Sequence, residues 1–154
     1  FRMFPGNEVR RMGAYFATCT GCEKDENGKV TVVHCTYDPE TRGGSSADGR
    51  KVKGTIHWVA AKTAVKAECR LYENIVDEEK GKLNEDGSLN LNPNSLTVLT
   101  DCYVEPELGK AKAYDSYQFM RNGYFCADCR DSRPDHLVFN RIVSLKSSFK
   151  LKKD

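Results

Sequence analysis

The chain has 154 residues, a length that suits one compact domain or two small ones. Its content of hydrophobic residues, 39%, and of aromatic residues, 10%, is higher than that of a disordered chain. Its 24 basic and 22 acidic residues give a net charge of +2, so composition alone does not indicate nucleic-acid binding. No apolar run approaches the roughly 18 residues of a membrane span, and we expect no membrane partner.

Alternation of apolar and polar residues with a period of two dominates the chain and predicts β-strands. In "RKVKGTIHWV", for example, Val52, Gly54, Ile56 and Trp58 share one face, which places Trp58 in the expected core. No segment shows a sustained 3.6-residue period, so any helices should be short. We predict strands near residues 8–18, 29–37, 50–59, 64–72, 96–104, 115–120, 123–127 and 137–145.

Turn signals separate the predicted strands. Asn27-Gly28 and Asn122-Gly123 are two-residue hairpin signals, and Asp48-Gly49 precedes the strand predicted at residues 50–59. Short strands joined by tight turns favour antiparallel pairing, so we predict an all-β fold of antiparallel strands that form a barrel or paired barrels.

Two long loops and a boundary organise the predicted strands. The segment 37–49 is rich in glycine and serine, and the segment 74–95 is longer still. We place the domain boundary near residue 60, which divides the chain into two sheet systems, residues 1–60 and residues 61–154.

Two Cys-x-x-Cys pairs, Cys19/Cys22 and Cys126/Cys129, leave a zinc site or a redox pair open as alternatives. The pairs lie about a hundred residues apart in different predicted sheets, and neither is surrounded by a βαβ pattern. We therefore expect no metal and mostly small buried thiols. Seven cysteines form no dense disulfide framework, which suits a reducing, cytoplasmic location.

No catalytic constellation is recognisable in the sequence. His34, His57 and His136 are isolated from one another, and an isolated strand histidine is more often structural than a general base. The nucleophile elbow, the P-loop and the glycine-rich dinucleotide fingerprint are all missing. We expect no catalytic residue in this chain.

Five stretches, spread over nearly the whole chain, carry a family resemblance: "GNEVRRMGAYF", "HCTYDPET", "ADGRKVKGTIHWV" (47–59), "QFMRNGYFCAD" (118–128) and "VFNRIVSLKSSF" (138–149). Together they closely resemble the C-terminal anticodon-binding region of class I glutaminyl-tRNA synthetases. "DGRKVKGTIHW" also fits the glutamyl enzymes of archaeal and eukaryotic type, whereas "GYFCAD" followed by "VFNRIVSLK" is more similar to the glutaminyl branch.

The resemblance implies two β-barrels, with residues 1–60 as the inserted, distal barrel and residues 61–154 as the proximal one. It implies a parent ligase, a cytoplasmic monomer that attaches glutamine to its tRNA. That ligase would bind ATP with Mg in a catalytic domain in cis. The HIGH-like and KMSKS-like motifs of that domain are missing here, so we expect an excised fragment, inactive alone and without a cofactor of its own. The family's barrel region begins upstream of Phe1, so we expect the second barrel to lack a strand and one anticodon-binding arginine.

The resemblance also implies which residues bind the anticodon loop of a glutamine-specific tRNA. Arg2 matches the arginine for the third anticodon base, a guanosine, whose O6 and N7 suit a bidentate guanidinium. Gln118 and Arg121 match the residues that enclose the middle uridine, and Arg10 matches one that lies near the wobble base.

The resemblance assigns roles less directly at other positions. Lys146 and Ser148 correspond to a polar stretch near the RNA backbone. A second basic residue of the family's wobble region is Met12 here, and its neighbour Arg11 points to the opposite face of a strand, so Arg11 does not simply replace it. The alternatives are the same module of a glutamyl-tRNA synthetase of archaeal or eukaryotic type and a non-enzymatic barrel that binds RNA or protein.

Overall fold

The computed structural model describes residues 3–77 and 80–145, and the regular structure in them is almost entirely β-strand. The chain divides into two compact units, Phe1–Trp58 (unit 1) and Val59–Asp154 (unit 2). The strands are β1 (Glu8–Arg11), β2 (Phe16–Lys24), β3 (Val30–Asp38), β4 (Gly54–Ile56), β5 (Val65–Tyr72), β6 (Leu96–Val104), β7 (Ser116–Phe119), β8 (Gly123–Ala127) and β9 (Leu137–Ser144). Two 3₁₀-helices, Pro39–Thr41 and Pro106–Lys110, are also present.

Unit 1 is a four-stranded sheet in the order β3-β2-β1-β4. The strand predicted at 8–18 is wrong as one element, because a tight turn at residues 12–14 divides it into β1 and β2. Gly13 supplies the positive φ of +67° that this turn needs, and Ala14 N donates to Arg11 O at 3.0 Å. The strand predicted at 50–59 shrinks to β4, because its partner β1 offers only four residues for pairing.

The core of unit 1 lies between β1, β2 and the 3₁₀-helix Pro39–Thr41. Val9, Phe16 and Ala17 are buried there, together with Thr41. The Thr41 hydroxyl accepts a hydrogen bond from Phe16 N at 2.8 Å and donates one to Asp38 O at 2.6 Å. This hydroxyl satisfies a backbone N–H that would otherwise be buried without a partner, which ties the end of β3 to β2.

Unit 2 is a five-stranded sheet in the order β6-β5-β9-β8-β7. Its core combines aliphatic side chains with three stacked or edge-on aromatic rings. The rings of Phe119 and Phe125 stack with centroids 4.4 Å apart, and Phe119 meets Phe139 edge-on at 5.3 Å. These rings fix the inner face of β7, β8 and β9, so the alternate residues of β7 and β8 face solvent.

The all-β prediction is confirmed, with a four-stranded and a five-stranded sheet. Within the described residues the two sheets are open, and neither closes into a barrel. Two pairings, β1 with β4 and β5 with β9, are parallel. The expectation of antiparallel pairing throughout is therefore wrong at these places, since period-two alternation carries no information about strand direction.

The tight-turn signals mark hairpins, but the loops differ from those expected. Five residues, 25–29, separate β2 from β3, because Asp25 Oδ1 accepts hydrogen bonds from the backbone N–H groups of Asn27 and Lys29. In unit 2, the residues between β7 and β8 are 120–122, and Gly123 already belongs to β8. The prediction of a hairpin is therefore confirmed in both places, whereas the prediction of a two-residue loop is wrong.

The cysteines are all free thiols. Cys19 and Cys69 are buried, and burial raises the pKa of the Cys69 thiol to about 12. Cys22, Cys35 and Cys129 are exposed, so the expectation of mostly buried thiols is wrong for them. Across residues 3–77 and 80–145, no three His, Cys, Asp or Glu side chains are grouped so that they could hold a metal ion. Over the same ranges, no helix has the length and apolar character needed to cross a membrane.

Candidate nucleic-acid interface

The predicted RNA-binding residues fall in three places. Arg2, Lys146 and Ser148 lie outside the described residues. Arg10 belongs to β1 of unit 1, whereas Gln118 lies on β7 and Arg121 in the β7–β8 turn of unit 2. The structure therefore brings Gln118 and Arg121 to the turn end of one hairpin and places Arg10 in the other unit.

The β7–β8 turn presents Arg121 at its tip. Phe119 pairs with Gly123 across the hairpin, and Asn122 N donates to Phe119 O at 2.8 Å. Arg121 has a φ of +68°, a left-handed conformation that is uncommon for a residue with a side chain. The turn therefore holds Arg121 in a sparsely populated backbone state, with its side chain exposed.

Gly123 seats this turn against β9. Its φ is +144°, and a Cβ added there would lie 2.6 Å from the carbonyl oxygen of Val143. Only glycine fits such a close approach of two backbones. The position of Arg121 thus depends on Gly123, which the sequence shows only as the second half of a turn dipeptide.

An exposed tyrosine, which sequence reasoning missed, lies beside Gln118. Gln118 and Tyr124 are directly paired across β7 and β8, so their side chains lie next to each other on the solvent face. Gln118 is exposed and Tyr124 is 45% exposed. The alternation in "GYFCA", with Phe125 inward, was the available signal for Tyr124. A carboxamide, an aromatic face and a guanidinium are thus presented by one hairpin.

Neither Gln118 nor Arg121 makes a side-chain hydrogen bond or an ion pair within residues 3–77 and 80–145. Other arginines of unit 2 do form ion pairs. Arg70 bonds Glu68 at 2.7 Å and Asp131 at 2.6 Å, and Arg141 bonds Glu73. These guanidiniums are neutralised by carboxylates of the same unit, whereas that of Arg121 is exposed and bonds none of the described carboxylates.

Arg50 is likewise neutralised by carboxylates of its own unit. Its guanidinium bonds Glu8 at 3.1 Å and Asp48 at 2.6 Å, and it also bonds Asp38. The backbone N–H of Arg50, followed by its guanidinium, lowers the pKa of Asp48 to about 2, and the guanidinium also lowers the pKa of Asp38. This cluster of ion pairs holds the loop between β3 and β4 against unit 1. Arg50 of the "GRKVK" stretch therefore has a structural role.

This cluster predicts a loss of stability in acid. Both aspartates have folded pKa values below those of the unfolded chain, so the unfolded state binds more protons between pH of about 4 and about 2. The contribution of these ion pairs to the free energy of unfolding is therefore full above pH of about 4 and decreases as the pH falls through this window. Urea unfolding at a series of pH values from 7 to 2 measures this free energy. Arg50→Gln should flatten the acid-side decrease relative to Arg42→Gln, and equal slopes in the two variants would contradict the assignment.

Arg10 is held more tightly than a surface arginine. It is half-buried, its guanidinium carbon lies 5.3 Å from the centroid of Phe16, and a Cβ at Gly44 would lie 3.1 Å from its Cδ. Its Nε is buried without a hydrogen-bond partner. An aromatic ring and a glycine backbone therefore enclose the stem, and within the described ranges no carboxylate neutralises the charge.

Comparisons with known proteins show which proteins this chain is similar to. A family described as "tRNA synthetases class I (E and Q), anti-codon binding domain" matches residues 55–128. Proteins called glutamine–tRNA ligase match from Clostridium perfringens (55% identity over 99% of this chain and 28% of the relative), Clostridioides difficile (52%, 97% and 27%) and Haemophilus influenzae (51%, 96% and 26%). The chain thus spans only about a quarter of the length of these relatives. Residues 55–128 thus match the anticodon-binding domain family of the class I glutamyl- and glutaminyl-tRNA synthetases, and almost the whole chain is similar to proteins called glutamine–tRNA ligase.

Proposed function

We propose that this chain is the anticodon-recognition module of a glutamine–tRNA ligase and that the β7–β8 hairpin binds the middle base of the anticodon. The observation that carries the proposal is the exposed pair of Gln118 and Arg121 on one hairpin, whose side chains bond no other described residue. Relatives called glutamine–tRNA ligase, about half identical to this chain along nearly its full length, support the choice of tRNA as the ligand.

The chemistry of the hairpin suits an unstacked uridine. The Gln118 carboxamide both donates and accepts, as the edge of uracil requires, and the Arg121 guanidinium bonds a base carbonyl or a phosphate. The adjacent Tyr124 ring offers a face on which the base can stack. Because Arg121 is not neutralised by a carboxylate of the described chain, binding RNA breaks no ion pair.

The remaining contacts are part of the same proposal. Arg2 would bind the third anticodon base, and Arg10 would lie near the wobble base. Lys146 and Ser148 would contact the RNA backbone. Residues 1–60 would be the distal domain of the module and residues 61–154 the proximal one.

The parent protein would be a cytoplasmic monomer in which the module acts in cis with a catalytic domain. That domain would use ATP with Mg to attach glutamine to the tRNA. The module itself would supply recognition of the tRNA.

Charging assays on the full-length ligase test this function against its glutamyl alternative. The anticodons for glutamine and glutamate share the middle uridine and differ at the third base. We expect charging with glutamine to fall when the middle uridine is replaced, and also when the third base, guanosine, is replaced. Preferential charging with glutamate, or charging that ignores all three anticodon bases, would overturn the proposal.

A further inference from the structure

An exposed arginine–tryptophan stack lies on unit 1, away in the chain from the β7–β8 hairpin. The guanidinium carbon of Arg11 lies 5.2 Å from the centroid of the Trp58 ring, over its face. Arg11 is exposed and Trp58 is 37% exposed, although alternation predicted that Trp58 belongs to the core. The largest aromatic side chain of the protein is therefore on the surface with a cation on its face.

The indole ring is held in place. Its Nε1–H donates to the carbonyl oxygen of Met12 at 3.1 Å, and this satisfies the only polar group of the ring. Met12 N in turn donates to Ile56 O at 3.0 Å, which fixes the strand end that carries the acceptor. The ring orientation is thus set by the backbone, and the ring forms a rigid support for Arg11.

The Arg11 guanidinium keeps its charge and its N–H groups available. Within the ranges that the structure describes it has no carboxylate partner, in contrast to Arg50 of the same unit. Stacking on Trp58 orders the side chain, so little rotamer freedom remains to be lost when a ligand binds. Arg10, its neighbour on β1, contacts Phe16 instead, and the two arginines follow the alternation of the strand.

We propose that Arg11 and Trp58 form a stacking site for one unpaired nucleotide of the bound RNA. The base would stack on the guanidinium plane that Trp58 supports, and the N–H edge of Arg11 would bond a phosphate oxygen. This site rests on the proposed function, because it takes the same RNA, but it uses residues outside the hairpin that recognises the middle base. In this proposal Arg11 does not take over the role of the basic wobble-region residue that is Met12 in this chain.

The chain contains a single tryptophan, so its fluorescence reports directly on this site. The probe is a 17-nucleotide RNA stem-loop with the glutamine anticodon in a seven-nucleotide loop, titrated into the chain. We expect it to quench Trp58 emission. Inorganic polyphosphate should bind with little quenching, because it has no base to stack. Equal quenching by polyphosphate would overturn a base-stacking site.

Variants at Arg11 separate stacking from charge. Arg11→Lys keeps the charge and loses the planar group, and we expect the RNA to bind about 5- to 10-fold more weakly and to quench less, at the lower end of the range for base stacking. Lys29→Gln, which removes an exposed charge from the same unit, should retain the wild-type quenching. Wild-type affinity and quenching in Arg11→Lys would contradict the proposal.

The experiments distinguish a failure of the stacking site from a failure of the proposed function. Binding that depends on the middle anticodon base, with unchanged Trp58 emission, overturns the stacking site and leaves the proposed function intact. Quenching that Arg11→Lys reduces, without any dependence on the middle base, supports the stacking site and counts against anticodon recognition. Arg121→Ala should remove the dependence on the middle base and retain the quenching.

Discussion

Replacing Arg121 by Ala is expected to lower kcat/KM for tRNA charging by the full-length ligase by about 5- to 150-fold, equivalent to about 1–3 kcal/mol of recognition free energy. The exposed guanidinium makes no ion pair with another described residue, so the loss should be one of RNA contact and not of stability. Charging kinetics with tRNAs altered at the middle anticodon base measure the effect. The variant should discriminate that base less well than wild type.

A matched control for this experiment is Arg130→Ala, which removes an exposed arginine from the same unit. It should retain discrimination of the middle base and lose only a small, salt-dependent part of the affinity. Activation of glutamine, measured separately by ATP–pyrophosphate exchange, should be nearly unchanged in both variants. If Arg121→Ala discriminates the middle base as well as wild type does, then this residue does not contact it.

Gly123→Ala is expected to destabilise unit 2 by about 2–4 kcal/mol, because strain at a φ that side chains rarely adopt adds to a backbone clash. The φ is +144°, and the new Cβ would meet the Val143 carbonyl oxygen at 2.6 Å. The hairpin must shift to relieve this clash, so middle-base discrimination should fall as well. Chemical unfolding, together with hydrogen exchange of the β8 amides, measures the stability.

Gly109→Ala is the control within the same unit, since its backbone is not left-handed and the added Cβ would meet Val65 Cγ2 at an ordinary 3.7 Å. It should change the unfolding free energy much less than Gly123→Ala does. Equal, small effects of the two substitutions would show that the β8–β9 contact tolerates a side chain and that the turn is not fixed by Gly123.

The sequence by itself determined the all-β class and most strand positions, because alternation is a local property that each strand carries independently of its partners. It also identified the hairpin that bears Gln118 and Arg121. The resemblance of five stretches, "QFMRNGYFCAD" among them, indicated the family before any contact was known.

Only the tertiary structure decided which charged and aromatic residues are available to a ligand. Arg50 and Arg121 are both arginines at a turn, yet Arg50 bonds three carboxylates, two of them distant in the chain, whereas none of the described carboxylates bonds Arg121. Trp58 shares a predicted strand face with Ile56, but β4 ends at Ile56 and the alternation ends with it. Availability depends on neighbours brought together by folding, and a pattern of period two contains no information about them.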